Sequence, residues 1–384
     1  MDKILNRISN LILLVTIAGS YLMWVVGIST PTTGWIYTNS VYLLSAAIAL
    51  VLLLRIKSLT KADWILIILA VVIFVFYTLT SSMRHSNRFI NASIPLIILL
   101  LLCFKKTKFT KIDLGLLAGI SGTALFVTIY RMYVELPKLI DPALIWKNDN
   151  KLEAIWINTN TIGMTIFLSV MMLTVIIKSF NIGYFKLLVI PVYAAGLLGV
   201  WVCQSKASLG ALIFFILVDN IVPKKLLKNN YLLLAGFALF FVAGPFIFYQ
   251  FAESDAMNLF TGRENIWAEF FEKWFSNTQN MLIGMEPFTA SWKSLGTHNS
   301  FIYTLSNYGI IGYALIFSVL LYLLATNVFA KTKLSALQVS LFLAFLAICI
   351  QATMEDTLLA NYWLPIVYSF VGLALQKSEE KTVK

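Results

Sequence analysis

Charge is what this chain lacks most. Of its 384 residues only 12% are Asp, Glu, Lys or Arg, while 59% are hydrophobic. A soluble domain carries about 25% charged residues, so too little polar surface remains here to coat a water-soluble globule. Cysteine is scarce as well. Cys103, Cys203 and Cys349 are odd in number, lie within or at the edge of apolar runs and form no CxxC pair. That excludes a disulfide framework and a zinc site as expectations. Histidine is limited to His85 and His298, and no acidic cluster marks a metal centre, so neither metal nor cofactor is expected.

What is present is a succession of apolar runs. Twelve lie near residues 8–27, 39–54, 63–80, 89–104, 112–132, 159–177, 186–203, 207–222, 229–249, 300–326, 335–353 and 360–376. A helix needs about 20 apolar residues to cross the hydrocarbon core. Backbone amides in lipid must be satisfied inside their own segment, so these runs predict helices. They are too long and continuous for barrel strands, which alternate over about 10 residues. The first run follows Lys3 and Arg7 but has no clear small-residue cleavage site, and is expected to be a retained first helix. The expected fold is an all-α polytopic membrane protein of about twelve transmembrane helices, one integral membrane domain over 1–384.

The net charge is +11, yet the basic residues form no face with interleaved aromatics, which argues against nucleic-acid binding. They cluster in short segments between the runs. With the N-terminus inside, Lys3, Arg7, Arg55, Lys57, Lys61, Lys105, Lys106, Lys108 and Lys111 are cytoplasmic. Lys178, Lys186, Lys224, Lys225, Lys228, Lys331, Lys333, Lys377, Lys381 and Lys384 join them, giving 19 of the 29 basic residues. This bias predicts that both termini are cytoplasmic. Two outer loops are long enough to hold structure, one at 133–158 and a larger one at 251–299 between the ninth and tenth helices. In the larger, Trp267, Phe270, Phe271, Trp274 and Phe275 recur at helical spacing, predicting an amphipathic helix over about 264–275. It either packs on the outer mouth of the bundle or lies among lipid headgroups.

Arg84, Arg88, Lys206 and Arg263 are cations on the side that should be poor in them. Singly, such residues snorkel to headgroups; together, they suit a lipid pyrophosphate, whose oxygens guanidinium groups grip bidentately. His298 ends the large loop at the mouth of the tenth helix. It reads either as a surface histidine or as a general base for an acceptor hydroxyl. Glu135, Glu153, Glu286, Glu355 and Asp356 are alternative bases that the sequence does not rank. Asp219 is the only acid well inside a marked run, and a transporter would be expected to carry more such charges.

His298-Asn299, followed after nine residues by Gly309 and then Gly312, resembles the signature of the O-antigen ligase branch of the O-antigen ligase/polymerase superfamily. Gly262-Arg263 with Trp267 is similar to that superfamily's arginine motif. Ser205-Lys206-Ala207-Ser208-Leu209 resembles its Ser-Arg-Gly-x-Leu segment, with lysine where arginine is common. Asn158-Thr159-Asn160-Thr161-Ile162-Gly163 is similar to its Asn-x-Asn-x-x-Gly helix opening. The resemblance implies a metal-independent, inverting glycosyl transfer. The donor would be a glycan on undecaprenyl pyrophosphate and the acceptor a sugar hydroxyl of lipid A–core. It implies a Gram-negative inner-membrane location with a periplasmic active site. His298 and Arg263 would be catalytic, Arg84, Arg88, Lys206 and Arg263 would hold the pyrophosphate, and Asn299 and Asn160 would bind or orient the glycan. The alternatives are an O-antigen or capsule polymerase, which joins lipid-linked repeats, and a lipid-glycan transporter.

Overall fold

The computed structural model describes residues 2–135, 159–180, 183–222, 230–253, 262–291, 295–329 and 334–376. Most of the outer loop expected at 133–158 lies outside these, as do Asn158, Glu153, the side chain of Arg88, and Lys224, Lys225, Lys228, Lys331, Lys333, Lys377, Lys381 and Lys384. Among the described residues there are helices and turns and no strand. In chain order the helices are α1 (Asp2–Val26), α2 (Pro31–Thr38), α3 (Ser40–Leu54), α4 (Lys61–Leu79), α5 (Arg88–Lys106), α6 (Lys111–Glu135), α7 (Thr159–Phe180) and α8 (Val189–Val202). They continue as α9 (Lys206–Ile221), α10 (Asn230–Ala252), α11 (Arg263–Phe275), α12 (Thr278–Ile283), α13 (Ser300–Leu324), α14 (Ala336–Gln351) and α15 (Leu364–Leu375).

Every apolar run coincides with a helix, but not every helix is long enough to cross a bilayer. Among the described residues eight are long and apolar enough, or nine if α2 and α3, bent by 66° at Asn39, form one broken span. The shortfall from twelve comes from length. At 1.5 Å per residue, the 16 residues each of α9 and α14 and the 12 of α15 reach only about 24 and 18 Å, against a hydrocarbon core of about 30 Å.

Helices α5 and α7 are central, with 78% and 83% of their apolar windows buried, whereas α4, α6, α8 and α10 bury less than a third of theirs. Those outer helices show bare apolar faces, such as Ile65, Ile68, Val71 and Val72 of α4. Water would not tolerate so continuous an apolar exterior; hydrocarbon does. The inner helices touch through small residues: a Cβ on Gly372 of α15 would lie 2.4 Å from Phe104 of α5. Close approach of this kind is the usual device for holding membrane helices together.

One end of the bundle collects the basic loops. Arg55 pairs with Asp2 at 2.6 Å, Lys105 and Lys106 both reach Asp63, and Asn6 and Asn10 hydrogen-bond Lys108. Helix α1 starts there, and its last turn carries Trp24 into the cleft described below. Cleft and basic cluster thus lie at opposite ends of the helices.

Candidate active site

Residues Thr297 to Asn299 lead into α13, and three hydrogen bonds define this segment. The Asn299 backbone amide and the Thr297 hydroxyl both donate to Asp356 Oδ1, at 3.0 and 3.1 Å, and Trp267 Nε1 donates to Thr297 O at 3.0 Å. Asn299 Oδ1 accepts from the amides of Phe301 and Ile302, at 2.9 and 3.1 Å. This is an N-cap, which satisfies donors a helix start leaves orphaned. Between these anchors His298 is held at φ +46°, a left-handed conformation uncommon for a residue with a Cβ and frequent at functional positions.

His298 faces Glu355, from the turn between α14 and α15. Its Nδ1 lies 3.9 Å from Glu355 Oε2, within ion-pair reach and longer than a hydrogen bond. The other carboxylate oxygen, Oε1, accepts from Arg263 Nη2 at 2.9 Å and from Asn160 Nδ2 at 2.8 Å. Three residues from distant helices therefore meet on one carboxylate. Arg263 is the first residue of α11, where a cation opposes the helix dipole; its ion pair with Glu355 offsets this. The turn before it needs Gly262, at φ +85°.

Glu355 raises the pKa of His298 above its ordinary 6.5; burial and Arg263 act against this and Asp356 adds to it. Burial raises the Asp356 carboxyl, while His298 and the two hydrogen bonds from the Thr297–Asn299 segment hold it back. The two acids consequently differ in role: Glu355 partners the imidazole, and Asp356 holds the Thr297 hydroxyl and the Asn299 amide on either side of it.

His298, Glu355, Asp356 and Asn160 line a cleft of about 200 Å³ with Trp24, Tyr37, Thr161, Met164, Thr357, Tyr362 and Trp363, and Arg263 reaches it through Glu355. Trp24 and Trp363 stack at 4.7 Å between centroids, Tyr362 packs edge-on against Trp24 at 5.1 Å, and Tyr37 lies 4.9 Å from Tyr362. Such a wall presents flat apolar faces beside polar atoms, which suits the two-sided surface of a sugar ring. Tyr37 comes from the short α2, which Gly27 at φ +90° and the Thr30 cap turn back over the end of α1.

No protein-family model matches the chain, and no curated protein matches it.

Of the residues expected from sequence, the fold brings His298, Arg263 and Asn160 into one site. Asn299 adjoins it as a helix cap; its Nδ2 is buried with no hydrogen-bond partner among the described residues. Lys206 opens α9 as an exposed residue. The preceding Ser205 lies against Gly163, where a Cβ would meet it at 2.4 Å, so Lys206 neighbours the Asn160 end of α7 without lining the cleft. Arg88 begins α5. His85 is exposed at φ +47°.

Arg84 is placed elsewhere than expected, for a clear physical reason. Its side chain is fully buried beneath a break in α13, where Gly309 has φ +62° and ψ −169°. Breaking a membrane helix frees carbonyls that must find other donors. Arg84 Nη1 donates to Asn307 O at 2.5 Å, Tyr77 Oη to Tyr308 O at 2.7 Å, and the Met285 amide to Ser306 O at 2.7 Å. Arg84 also bonds Tyr77 O and Asn91 Oδ1. The guanidinium is committed to the fold and holds no free edge for phosphate. Gly309 is required because a Cβ there would lie 2.4 Å from the Leu282 carbonyl group. Gly312, three residues on, faces the Tyr77 hydroxyl, 2.5 Å from where its Cβ would be.

Sequence reasoning missed the aromatic wall and could not choose Glu355 from the other outer acids. The aromatics carried a weak signal: all four stand at outer helix ends, where they are equally expected as a membrane-interface belt.

Proposed function

We propose that this protein transfers a glycan from undecaprenyl pyrophosphate to a sugar hydroxyl of lipid A–core, as an O-antigen ligase does, on the periplasmic face of a Gram-negative inner membrane. The observation that carries the reading is the Arg263–Glu355–His298 constellation in an aromatic-walled cleft at the end opposite the basic loops. The reading includes the twelve-span topology, with the three short helices completed as crossings by their flanking turns.

With Nδ1 turned to Glu355, His298 leaves Nε2 for the acceptor. In the transfer, Nε2 takes the hydroxyl proton as the oxygen attacks the anomeric carbon. The bond from that carbon to the pyrophosphate oxygen breaks, the configuration inverts, and undecaprenyl pyrophosphate leaves. Glu355 stabilises the imidazolium that forms. Lys206, Arg88 and Arg263 are the cations left to hold the leaving pyrophosphate once Arg84 is assigned to the fold; fixed positive charge there lowers the barrier to departure. Asn160 and the Trp24–Trp363 stack would orient the sugars.

The test is genetic and then chemical. The gene is expressed in strains of its source organism lacking the ligase or the polymerase, and lipopolysaccharide is resolved on a gel. A long-chain ladder restored only in the ligase-null strain supports ligation. Rescue of only the polymerase-null strain would make the protein a polymerase. No rescue in either, with the protein in the membrane, would sink the glycosyl-transfer reading and favour a transporter.

A further inference from the structure

An apolar groove of about 530 Å³ runs between α1, α3 and α15, directly beneath the cleft. Leu11, Val15, Gly19 and Met23 line it along one stripe of α1, at successive i+4 positions, and Leu43, Ala47 and Leu50 of α3 face them. Its upper end joins the cleft. Tyr362 lines both, and the groove residues Met23 and Ile36 immediately precede the cleft residues Trp24 and Tyr37. From Leu11 to Met23 the groove follows α1 for about 18 Å, a little more than half of a hydrocarbon core about 30 Å thick. It therefore extends from the cleft roughly one leaflet deep.

Gly19, midway down, is the second observation. Glycine weakens a helix interior, and membrane helices use it where another helix must come close. Gly163, Gly196 and Gly372 follow that rule, each with a neighbour 2.4–2.5 Å from where a Cβ would stand. Nothing lies within 4 Å of a Cβ at Gly19. Among the described residues no packing contact uses that space, and the glycine widens the groove where a chain lying in it would pass.

We infer that this groove holds the isoprenoid chain of the lipid-linked glycan, with the chain along α1 and its polar head at the Tyr362 rim; this rests on the transfer reading above. The groove meets the cleft at one rim, Tyr362, so a lipid whose single chain carries its polar head at one end fits the arrangement, which favours a polyprenyl lipid as occupant. A larger apolar groove of about 670 Å³ between α10 and α13 shares no lining residue with the cleft, so a lipid in it has no shown route for its head.

The test uses the full chain in phosphatidylethanolamine–phosphatidylglycerol nanodiscs and a diazirine-bearing polyprenyl diphosphate without glycan, so that binding is read without turnover. Labelling is expected on peptides of α1 and α3 and is competed by unlabelled polyprenyl diphosphate. Gly19→Leu fills the open space and should abolish most of it, whereas Gly19→Ala should leave it intact. Leu43→Trp blocks the opposite wall and decides the matter if Gly19→Leu fails to fold. Labelling on α10 and α13 instead, labelling unaffected by either blocking variant, or equal uncompeted labelling by a diacyl probe would overturn the inference. Groove labelling in a protein that transfers no glycan would retain the groove and remove the transfer reading. Glycan transfer without groove labelling would do the reverse.

Discussion

His298, just before α13, and Glu355, in the turn between α14 and α15, meet with Nδ1 3.9 Å from Oε2, while the other oxygen of the same carboxylate is held by Arg263. One carboxylate thus joins a candidate base to a fixed cation. Glu355 raises the pKa of the imidazole and Arg263 lowers it, so substitutions at these two positions push the same titration in opposite directions.

If neutral His298 is the base, transfer rises with pH through a midpoint above 6.5. Glu355→Gln should move that midpoint down in a kcat/KM profile. Stability has its own sign. A pKa raised on folding stabilises most below the unfolded value, and that contribution is lost as pH rises through the folded one. Wild-type Tm should therefore drop more than that of Glu355→Gln between pH 6 and pH 9. Coincident profiles for the two proteins would remove Glu355 as the partner of His298.

Arg263→Gln takes away the positive charge that opposes His298 protonation. Its transfer midpoint should lie above the wild-type value, opposite to Glu355→Gln, and its rate should fall. A downward shift would mean that the arginine acts on donor binding alone.

His298→Asn separates chemistry from folding. Asparagine tolerates the left-handed backbone found at this position, so Tm should stay near wild type. Transfer should fall by about 10²–10⁴, the usual contribution of a general base. Full activity with intact folding would sink the assignment.

Arg84 and Lys206 should part company. Arg84→Ala removes the donor to the Asn307 carbonyl at the α13 break, costing roughly 1–3 kcal/mol for the group left unpaired, and should show as lost thermal stability or yield. Lys206→Ala, at an exposed position, should keep Tm and raise KM for the lipid donor. A stable Arg84→Ala protein with weakened donor binding would return Arg84 to the substrate site.

Gly309→Ala tests the break itself. A Cβ at φ +62°, ψ −169° lies in a region other residues enter at a cost of about 1–3 kcal/mol, before the contact with Leu282 is counted. The variant should fold poorly, and Gly309→Ala combined with His298→Asn should be no more stable than Gly309→Ala alone.

Much of the scaffold was legible beforehand because helix formation in lipid is a local matter. Each apolar run must satisfy its own amides, and each coincides with a helix. The aromatic face of α11 was visible for the same reason, since Trp267, Phe270, Phe271 and Trp274 recur at the helical period, and all four are buried in the fold. Whether that face met protein or headgroups was not legible, because aromatic rings suit both. Lengths failed where helices end early: an apolar run says that its residues avoid water, and does not say how many of them wind into one helix.

By itself the sequence determined that the chain is helical and apolar-surfaced, where its basic clusters lie between the apolar runs, and that His298 and Arg263 stand at the starts of helices. Only the tertiary structure decided that Glu355 joins them, that Arg84 is spent on the Asn307 carbonyl at the Gly309 break, and that four scattered aromatics form one wall. The division has a physical basis. Hydropathy and periodicity act within a few turns of chain, whereas a site made from α1, α2, α7, α11, α13 and the α14–α15 turn exists only once those helices pack.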